Sequence, residues 1–545
     1  MKTTAKTTGL RYWMLSVLQQ CDKVAGDFSA DPVHDLRVAL RRCRSMADGL
    51  MAIDPDQEWK AMKKAGRQLF QRLGALRDVQ IMMDWVDKLE MRPGSGSSNV
   101  VEISKESADA RGISPEAGSP PSDPGVVLLR MLRARETQLK HEARAALEEF
   151  DRKQWRQWSK SLPQQAAQIR PGSSLFKHLA LERWTVAREL HVRAMRTRSQ
   201  LALHTLRIGI KRFRYIVENF LPIEHEAWSK DLKHMQDLLG EVHDLDVLWA
   251  TALAGHIFPD EAARKLWHER IARERSKRIE EYRRRTVGPD SLWSTWRAGL
   301  PQGKQIQEIA TRRMKFWAKS LDPDFTHSER VAKLALQLYN GLLARGLFGM
   351  NRISPVNNGT PLEGREILNV AALLHDVGKS KGNKGHHKES FELIKKHDVP
   401  LGWKPETVAR AALVARFHCG ALPSRSHTAL RDLLPEEQKL VIRLSAVLRL
   451  ANALDSSHDG HVQRLRIENA AADQKRRSNG FVRKPSALGR NEALAIAAEG
   501  YTDGTATAQA VAAERYLLET VLRRPVVVRG ASRVGNSSAG IRLAG

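Results

Sequence analysis

The chain contains 545 residues, of which 42% are hydrophobic and 28% are charged. This length and balance are typical of a globular protein with room for two or more domains, and they argue against a disordered chain. The formal net charge of +27 indicates a polyanionic partner, which composition leaves open among nucleic acid, an anionic membrane surface and polyphosphate.

Cysteine usage and hydropathy indicate the compartment. The three cysteines, Cys21, Cys43 and Cys419, are isolated and lack the paired spacing of a metal site, which fits a reducing cytoplasm. The apolar run near residues 12–18 is too short to span a bilayer, and no small-residue cleavage site follows it. We therefore expect a cytoplasmic protein without a membrane partner.

The N-terminal region contains an internal repeat. Residues 33–47, VHDLRVALRRCRSMA, match residues 203–217, LHTLRIGIKRFRYIV, position by position. Downstream, residues 73–82, LGALRDVQIM, match residues 239–248, LGEVHDLDVL. The spacing between the paired motifs differs by about one helical turn. The pattern predicts that two similar helical units make up this region.

Basic residues follow one face of each repeated helix. They are His34, Arg37, Arg41 and Arg44 in the first copy, and His204, Arg207, Lys211 and Arg214 in the second. Steps of three and four residues place each set along one stripe, opposite an apolar face. A merely solvated helix face is the alternative, but such a face usually mixes charges of both signs, and no acidic residue interrupts either stripe. We therefore favour an anion-binding face.

These motifs resemble the CHAD family, a helical domain named for its conserved histidines that binds inorganic polyphosphate. The resemblance covers most of residues 10–290 and implies two antiparallel four-helix bundles, related by pseudo-symmetry, whose basic helices face a shared groove. It assigns polyphosphate binding to the eight residues of the two stripes, extended by Lys64, Arg67, Lys230 and Lys233. Arg77 stands where the second copy has His243, so the histidine complement of the first half differs.

Inorganic polyphosphate suits such a groove physically. Rows of Arg and Lys gain free energy by releasing the counterions of a linear polyanion, and Arg adds forked hydrogen bonds. A nucleic-acid surface would more often interleave aromatic residues for base stacking, whereas Tyr215 stands nearly alone here. Nucleic acid is therefore the less favoured partner. Histidines in the stripes predict that binding strengthens as the pH falls.

Composition also indicates the domain limits. Residues 92–125 are rich in Gly, Ser and Pro and have no apolar period, which predicts a flexible insertion within the first domain. The turn-rich residues 287–303 predict an interdomain joint. We therefore expect a first domain at residues 1–300 and a second at residues 305–530.

In the second domain, polar residues begin or end apolar helical stripes. The segment LLHDVGK, residues 373–379, brings His375 and Asp376 side by side where an apolar helix ends. His327 opens one helix, His418 ends another, and Asp455 completes a core-facing row. Buried carboxylates are costly unless they are paired or bound to a cation. One or two divalent metal ions would explain these inward-facing groups together.

The order of these residues resembles the HD superfamily of metal-dependent phosphohydrolases. It further resembles the HD-type helical domain on the C-terminal side of the exopolyphosphatase and guanosine pentaphosphatase family, over roughly residues 320–460. The resemblance implies that His327, His375, Asp376 and Asp455 hold one metal ion, and that His418 with His386 or His387 holds a second one bridged by Asp376. Of the adjacent pair, His387 is favoured because it precedes Lys388. Mn, Mg, Fe and Zn remain open as the metal.

Two such ions about 3.5–4 Å apart can bind a phosphate and activate a water for attack on phosphorus. Asp376 and Lys379 are the candidate catalytic residues; Lys379 either stabilises developing negative charge or is simply a cation near a helix C-terminus. The predicted function is polyphosphate binding coupled to hydrolysis of polyphosphate or a nucleotide. The alternatives are a non-catalytic protein of polyphosphate granules with a structural or nucleotide-sensing HD domain, and an RNA-binding phosphodiesterase.

The remaining residues complete the predicted fold. After Asp455 we expect a basic loop to about residue 490, and then EALAIAAEGY as a strand, QAVAAERYLLETVL as a helix and RPVVVRG as a strand. Residues 531–545 are predicted to be a disordered tail. The predicted fold is mainly α: two pseudo-symmetric four-helix bundles, followed by an all-α HD-type domain with a small α+β C-terminal appendage.

Overall fold

The computed structural model of the chain describes residues 9–26, 28–54, 56–89, 123–348, 361–469 and 493–531. The chain divides into two compact units, Met1–Ile309 and Ala310–Gly545. The predicted insertion at residues 92–125 and the predicted tail at residues 531–545 lie outside the described residues, apart from residues 123–125 and residue 531.

All the regular secondary structure of the first unit is helical within the residues that the structure describes. Its helices are α1 (Leu10–Gly26), α2 (Ala30–Met51), α3 (Gln57–Ala65), α4 (Arg67–Lys88), α5 (Pro124–Glu148), α6 (Arg152–Ala166), α7 (Ser174–Thr197), α8 (Gln200–Phe220), α9 (Pro222–Ala254), α10 (Glu261–Thr286) and α11 (Leu292–Ala298). Helix α12 (Lys304–Leu321) follows and spans the division between the units. Helices α2 and α8, which carry the basic stripes, contact each other, and so do α4 and α9, which carry the second repeated motif. The two repeats therefore meet through equivalent helices.

The apolar faces of the repeated helices form part of the core of this unit. Leu36 and Leu40 of α2 and Ile210 and Phe213 of α8 are fully buried. Burying a side chain of this kind stabilises the fold by roughly 1.5–3 kcal/mol. With these residues inside, the stripe three or four positions away is left facing outward.

Part of the segment 287–303, which the sequence predicts as a turn-rich joint between domains, is helical. Helix α11 lies within it and contacts α7 and α10. Trp293 and Trp296 of this helix are almost completely buried. Two indole rings bury enough apolar surface to order a helix that the turn residues around it do not suggest.

The second unit is a helical domain with a small sheet near its C-terminal end. Its elements are α13 (Phe325–Ala344), α14 (Pro361–Leu374), a 3₁₀ helix (Val377–Lys381), α15 (His386–Lys396), α16 (Pro405–Arg416), α17 (Pro435–Leu454), β1 (Arg464–Asn469), β2 (Leu494–Glu499), α18 (Ala506–Glu514), α19 (Tyr516–Leu522) and β3 (Val526–Ala531). Helix α14 packs against α13 and α16, and α17 packs against α13, α16 and α18. The ends of these helices carry the histidine and aspartate residues described below.

The sheet has the order β1-β2-β3, with β1 antiparallel and β3 parallel to β2. Ile467, Ile496 and Val528 lie opposite one another across the three strands. Strands β2 and β3 occur where the sequence predicts them. Strand β1 lies in the segment expected to be a loop, because pairing with β2 and packing against α13 stabilise a short basic segment with little strand signal of its own.

The predicted mainly-α fold with a small α+β C-terminal appendage is confirmed. Helix is the dominant regular structure of both units within the described residues. In those residues, no helix has both the length and the apolar character required to cross a membrane.

Candidate metal centre and anion-binding groove

The candidate metal centre is built where helix α14 ends. Ala371 and Ala372 anchor the apolar face of this helix, and they place His375 and Asp376 in the interior, where they are 0% and 2% exposed. The 3₁₀ turn that follows approaches α15 so closely that a Cβ on Gly378 would lie 2.1 Å from the carbonyl oxygen of His386. Only glycine fits at this position.

Asp376 lies at the centre of four imidazole rings. Its Oδ2 atom is 3.4 Å from Nε2 of His375 and 3.9 Å from Nε2 of His327. Its Oδ1 atom is 3.3 Å from Nε2 of His386 and 3.6 Å from Nε2 of His418. Each carboxylate oxygen therefore faces two ring nitrogens, which is the arrangement of a carboxylate that bridges two ligand groups.

The second nitrogen of each ring fixes its tautomer. The Nδ1–H groups of His375, His418 and His386 donate to the carbonyl oxygens of Ala372, Ala415 and Asn383 over 2.7, 2.7 and 2.8 Å, and that of His327 donates to Asp455 over 2.7 Å. A neutral imidazole that donates through Nδ1 carries its lone pair on Nε2. The Nε2 lone pairs of His375, His386 and His418 are thus available on the side that faces Asp376, as in metal sites whose ligands are oriented by outer hydrogen bonds. His327 differs, because its Nε2 atom also lies 2.9 Å from Oδ1 of Asn452.

Two observations favour a cation within this donor set. Nε2 of His375 is buried and has no hydrogen-bond partner among the residues that the structure describes. Nε2 of His386 and Nε2 of His418 lie only 3.0 Å apart, so their lone pairs face each other. Buried acceptors without donors cost about 1–3 kcal/mol each, and a bound cation removes that cost.

Three groups of the cluster have shifted pKa values, those of His375, His418 and Asp376. Burial lowers the pKa of His375 and, more strongly, that of His418, so both rings are neutral near pH 7. Burial acts to raise the pKa of Asp376, but His375 and His418 in their protonated forms, together with the ammonium of Lys379, outweigh it, and the net pKa is lowered. A carboxylate among neutral imidazoles is the protonation state that binds divalent ions.

Asp455 is placed behind His327. Its Oδ2 atom accepts from Nδ1 of His327 and from Nε of Arg330, at 2.7 and 2.9 Å, and its Oδ1 atom accepts from the amide of Gly460 at 3.1 Å. These donors keep the pKa of Asp455 low although burial acts to raise it. Both carboxylate oxygens of Asp455 already accept hydrogen bonds, which disfavours the direct metal ligation that the family resemblance implies. The position of Asp455 favours a role in orienting the ring of His327.

Of the adjacent histidines, the structure places His386 in the cluster, whereas the sequence favours His387. Successive residues of a helix point about 100° apart, so only one of the two can face Asp376. His387 instead lies beside Gly420, where an ideal Cβ would be 3.1 Å from its Nε2 atom. Burial, together with the guanidinium of Arg416, lowers the pKa of His387 to about 4.

Two further side chains border the cluster. Nζ of Lys379 is 2.6 Å from Oδ2 of Asp376, and this side chain is one-fifth exposed. Sγ of Cys419 is 3.7 Å from Nε2 of His386. Sequence reasoning dismissed Cys419 as an isolated cysteine; its position directly after His418 is the signal that could have identified it.

The basic stripes of α2 and α8 come together as one groove. Arg37, Arg41, Arg207 and Lys211 are half-buried, and the first three, after burial, lower the pKa of Lys211 to about 7. The groups that act on Lys211 come from both repeats, so the two stripes share one positive surface, which we call the basic groove.

Several cations of the groove keep an N–H group without an internal acceptor, although Asp78 and Asp244 lie near them. Nη1 of Arg37, Nη1 of Arg44 and Nε of Arg207 are buried and have no hydrogen-bond partner in the described parts of the chain. Phe70 lies under Arg37 and Arg44, whose Cζ atoms are 5.3 and 4.9 Å from its ring centre. Arg214 differs, because it is 3.5 Å from Glu218.

Two imidazoles and a carboxyl of the groove, those of His243, His34 and Asp244, have shifted pKa values. His204 lies against His243, with their Nδ1 atoms 3.3 Å apart. Burial and Arg207 lower the pKa of His243 to about 4, and burial together with Arg77 and Arg41 lowers that of His34. Asp244 has its pKa raised to about 6 by burial.

The remaining predicted binding residues lie on neighbouring elements. Lys64 is on α3, Arg67 begins α4, and Lys230 and Lys233 are on α9. All four are exposed. They are free to extend the positive surface without the burial that holds the stripe residues in place.

The fold and the two sites define a basic helical-bundle domain joined to a domain with a histidine–aspartate cluster. Residues 14–253 match the CHAD domain, and residues 309–488 match the Ppx/GppA phosphatase family, domain III. The resemblances to the CHAD family and to the exopolyphosphatase and guanosine pentaphosphatase family are confirmed: the chain carries a CHAD domain followed by a Ppx/GppA domain III. The wider resemblance to the HD superfamily stays a prediction.

One similar solved structure is the crystal structure of the CHAD domain from the plant Ricinus communis. It is 19% identical in sequence, the match covers 53% of this chain and 88% of that chain, and the TM-score is 0.33. No curated protein matches the chain.

Proposed function

We propose that this protein binds inorganic polyphosphate in its basic groove and hydrolyses a phosphoester or phosphoanhydride at its histidine–aspartate cluster. The two matched families point to a polyphosphate-related function. The observation that carries the hydrolytic part is the convergence of four Nε2 atoms on the two oxygens of Asp376.

The groove has the properties that a linear polyanion requires. Arg37, Arg44 and Arg207 each offer a buried N–H group without an internal acceptor, and phosphate oxygens accept such hydrogen bonds in pairs. Burial, and after it repulsion from Arg207, Arg41 and Arg37, lowers the pKa of Lys211, and a bound polyanion relieves that repulsion. Counterion release from the polymer adds a favourable term that weakens with salt.

The cluster would hold one ion between His327, His375 and Oδ2 of Asp376, and a second ion between His386, His418 and Oδ1. Bound divalent ions supply charge neutralisation of a phosphate and a nucleophilic water at neutral pH. The carboxylate of Asp376 keeps its negative charge and lies between the two proposed ion positions. The imidazoles of His375 and His418 stay neutral.

Lys379 is the cation at the border of this site. Its ammonium is partly exposed and contacts Asp376, so it lies within reach of a phosphate brought to the cluster. We assign to it stabilisation of negative charge on the phosphate oxygens. A groove and a hydrolytic site in one chain would also raise the effective concentration of a polyphosphate substrate.

A second candidate is a non-catalytic protein of polyphosphate deposits, whose HD-type domain is structural or senses a nucleotide. The contact between Lys379 and Asp376 favours it, because an ammonium already neutralises the central carboxylate. The match to domain III alone of a phosphatase family also favours it, since a fold does not by itself imply turnover.

One experiment separates these candidates. The purified full-length protein is loaded in turn with Mn²⁺, Mg²⁺, Fe²⁺ and Zn²⁺ and incubated with polyphosphate and a nucleotide panel, while phosphate release and bound metal are measured. We expect turnover that His375→Ala/Asp376→Ala abolishes and that Arg212→Ala, an exposed change on α8, leaves intact. Metal binding without turnover of any substrate would favour the non-catalytic candidate.

The partner of the groove is tested separately. Polyphosphate and RNA compete for the protein at fixed salt, and we expect polyphosphate to displace RNA. Preferential retention of RNA would support the RNA-binding phosphodiesterase instead.

A further inference from the structure

The two ends of the histidine–aspartate cluster differ in donor chemistry. Ligand atoms of His327, His375 and Asp376 lie within 4.8 Å of one another, and so do those of His386, His418 and Cys419. The first group offers nitrogen and oxygen only, whereas the second contains sulfur. We name the second group the sulfur end of the cluster.

We propose that Cys419 is a metal ligand at the sulfur end, and that this end takes a thiophilic ion of the Zn²⁺ class in preference to Mg²⁺ or Mn²⁺. The inference rests on the metal-binding part of the proposed function and assigns the kind of ion that the cluster takes. It does not depend on which phosphate compound is hydrolysed.

The atoms at this end form a set of four donors. Sγ of Cys419 is 3.7 Å from Nε2 of His386, which is 3.0 Å from Nε2 of His418. Oδ1 of Asp376 is 3.3 and 3.6 Å from the same two nitrogens. Two nitrogens, one sulfur and one oxygen make up the four-coordinate donor set that Zn²⁺ prefers.

The other cysteines show how a purely structural thiol is placed in this protein. Cys21 and Cys43 are both fully buried in the apolar core of the first unit. Cys419 is instead only partly buried and contacts an imidazole of the cluster. The unpartnered Nε2 of His375, fully buried and 3.4 Å from Oδ2 of Asp376, points independently to a cation in the same cluster.

A buried guanidinium fixes the backbone on both sides of this thiol. Arg449, 4% exposed, donates through Nη1 to the carbonyl oxygen of Phe417 and through Nη2 to that of Gly420, at 3.1 and 3.0 Å. The loop that carries His418 and Cys419 is therefore held at its two ends. Ligands on a fixed loop bind an ion without a large ordering cost.

Sulfur changes which ion the site selects. Thiolate ligands favour Zn²⁺, Co²⁺ and similar ions, whereas Mg²⁺ requires oxygen ligands and retains water. On binding, the thiol of Cys419 gives its proton to solvent and the sulfur forms the bond to the ion. Replacing the sulfur by a hydroxyl oxygen keeps the size of the side chain and removes this selectivity.

The test uses Co²⁺ as a spectroscopic probe in the full-length protein after removal of bound metal by a chelator. We expect a sulfur-to-cobalt charge-transfer band in the near ultraviolet for the parent protein and for Cys43→Ala, and its loss in Cys419→Ser. Competition between Zn²⁺ and Mn²⁺ gives a second measurement. We expect Cys419→Ser to lower the affinity for Zn²⁺ at least about tenfold, the cost known even for residues outside the direct ligand set, and to change the affinity for Mn²⁺ much less.

The possible results distinguish failure of the Cys419 assignment from failure of the proposed metal centre. Stoichiometric binding of Co²⁺ without a charge-transfer band would overturn the role of Cys419 and leave the metal centre standing. Equal loss of Zn²⁺ and Mn²⁺ in Cys419→Ser, with an unchanged unfolding temperature, would overturn the selectivity. Failure of the parent to bind any ion would overturn the metal centre itself, and this inference with it.

Discussion

Nε2 of His386 and Nε2 of His418 lie 3.0 Å apart, although each ring already donates its Nδ1 proton to a backbone carbonyl. With both rings neutral, their Nε2 lone pairs face each other, and a proton or a metal ion between them relieves the repulsion. The proposed metal centre therefore makes the thermal stability of the second unit a measure of metal binding.

We expect a divalent ion to raise the unfolding temperature of the second unit, and a chelator to lower it. A ligand at 100 times its Kd stabilises a folded domain by about 2.7 kcal/mol. Differential scanning calorimetry with and without Zn²⁺ or Mn²⁺ measures the shift. Asp376→Asn should abolish the shift, because it removes the charge that faces all four imidazoles. A shift of the same size in that variant would contradict the centre.

Asp455 and Asp376 should respond differently to the same conservative change. Asp455 accepts from His327 and Arg330, so Asp455→Asn disturbs the orientation of one ligand. We expect metal affinity to fall about 10–100-fold, the usual cost of an outer partner, whereas Asp376→Asn should lose binding altogether. Isothermal titration calorimetry measures both. Complete loss in Asp455→Asn would instead support the direct ligation implied by the family resemblance.

The periodicity of the sequence was sufficient to locate most of the residues that meet at the cluster. His327, His375 and His418 lie at the ends of apolar helical rows, and the helices that bury those rows bring the three rings within contact of Asp376. The choice between His386 and His387 could not be made in this way. It depends on where α15 begins and on the close approach at Gly378, which are properties of the packed structure.

Two residues of the site, Cys419 and Arg449, could not be predicted from the sequence, because they reach it only through the packing of the fold. Cys419 and Arg449 join the site through contacts between α16, α17 and the loop between them, and neither residue belongs to a recognisable motif. The groove shows the same limit. The stripes on α2 and α8 were visible as patterns, but the burial of Lys211 and its repulsion by Arg41 and Arg37 of α2 depend on the contact between the two helices.

The pH dependence of polyphosphate binding should follow Lys211 more than His243 near neutral pH. Burial and the nearby Arg207, Arg41 and Arg37 lower the pKa of Lys211 to about 7 in the free protein, and a bound polyanion raises it. The contribution of Lys211 is therefore complete below about pH 7 and is lost as the pH rises above that value. His243, with a pKa of about 4, is neutral throughout this range in the free protein.

The control for this prediction is Lys211→Arg, which stays charged at all these pH values. We expect polyphosphate affinity, measured from pH 6 to pH 9 at fixed salt, to fall less steeply in this variant than in the parent. Asp244, with a pKa of about 6, titrates in the same direction, so Lys211→Arg/Asp244→Asn should be nearly flat. Identical profiles for the parent and the double variant would contradict the assignment.

The salt dependence of binding distinguishes groove residues from the general positive charge of the protein. Arg207 has a buried Nε without a partner among the described residues, whereas Arg212 is exposed on the same helix. We expect Arg207→Ala to weaken polyphosphate binding and to reduce the slope of log affinity against log salt by about 1, the contribution of one phosphate contact. Arg212→Ala changes the net charge by the same amount and should leave the slope unchanged. Fluorescence anisotropy with labelled polyphosphate at several salt concentrations measures both slopes, and equal reductions would mean that net charge, and not the groove, attracts the polymer.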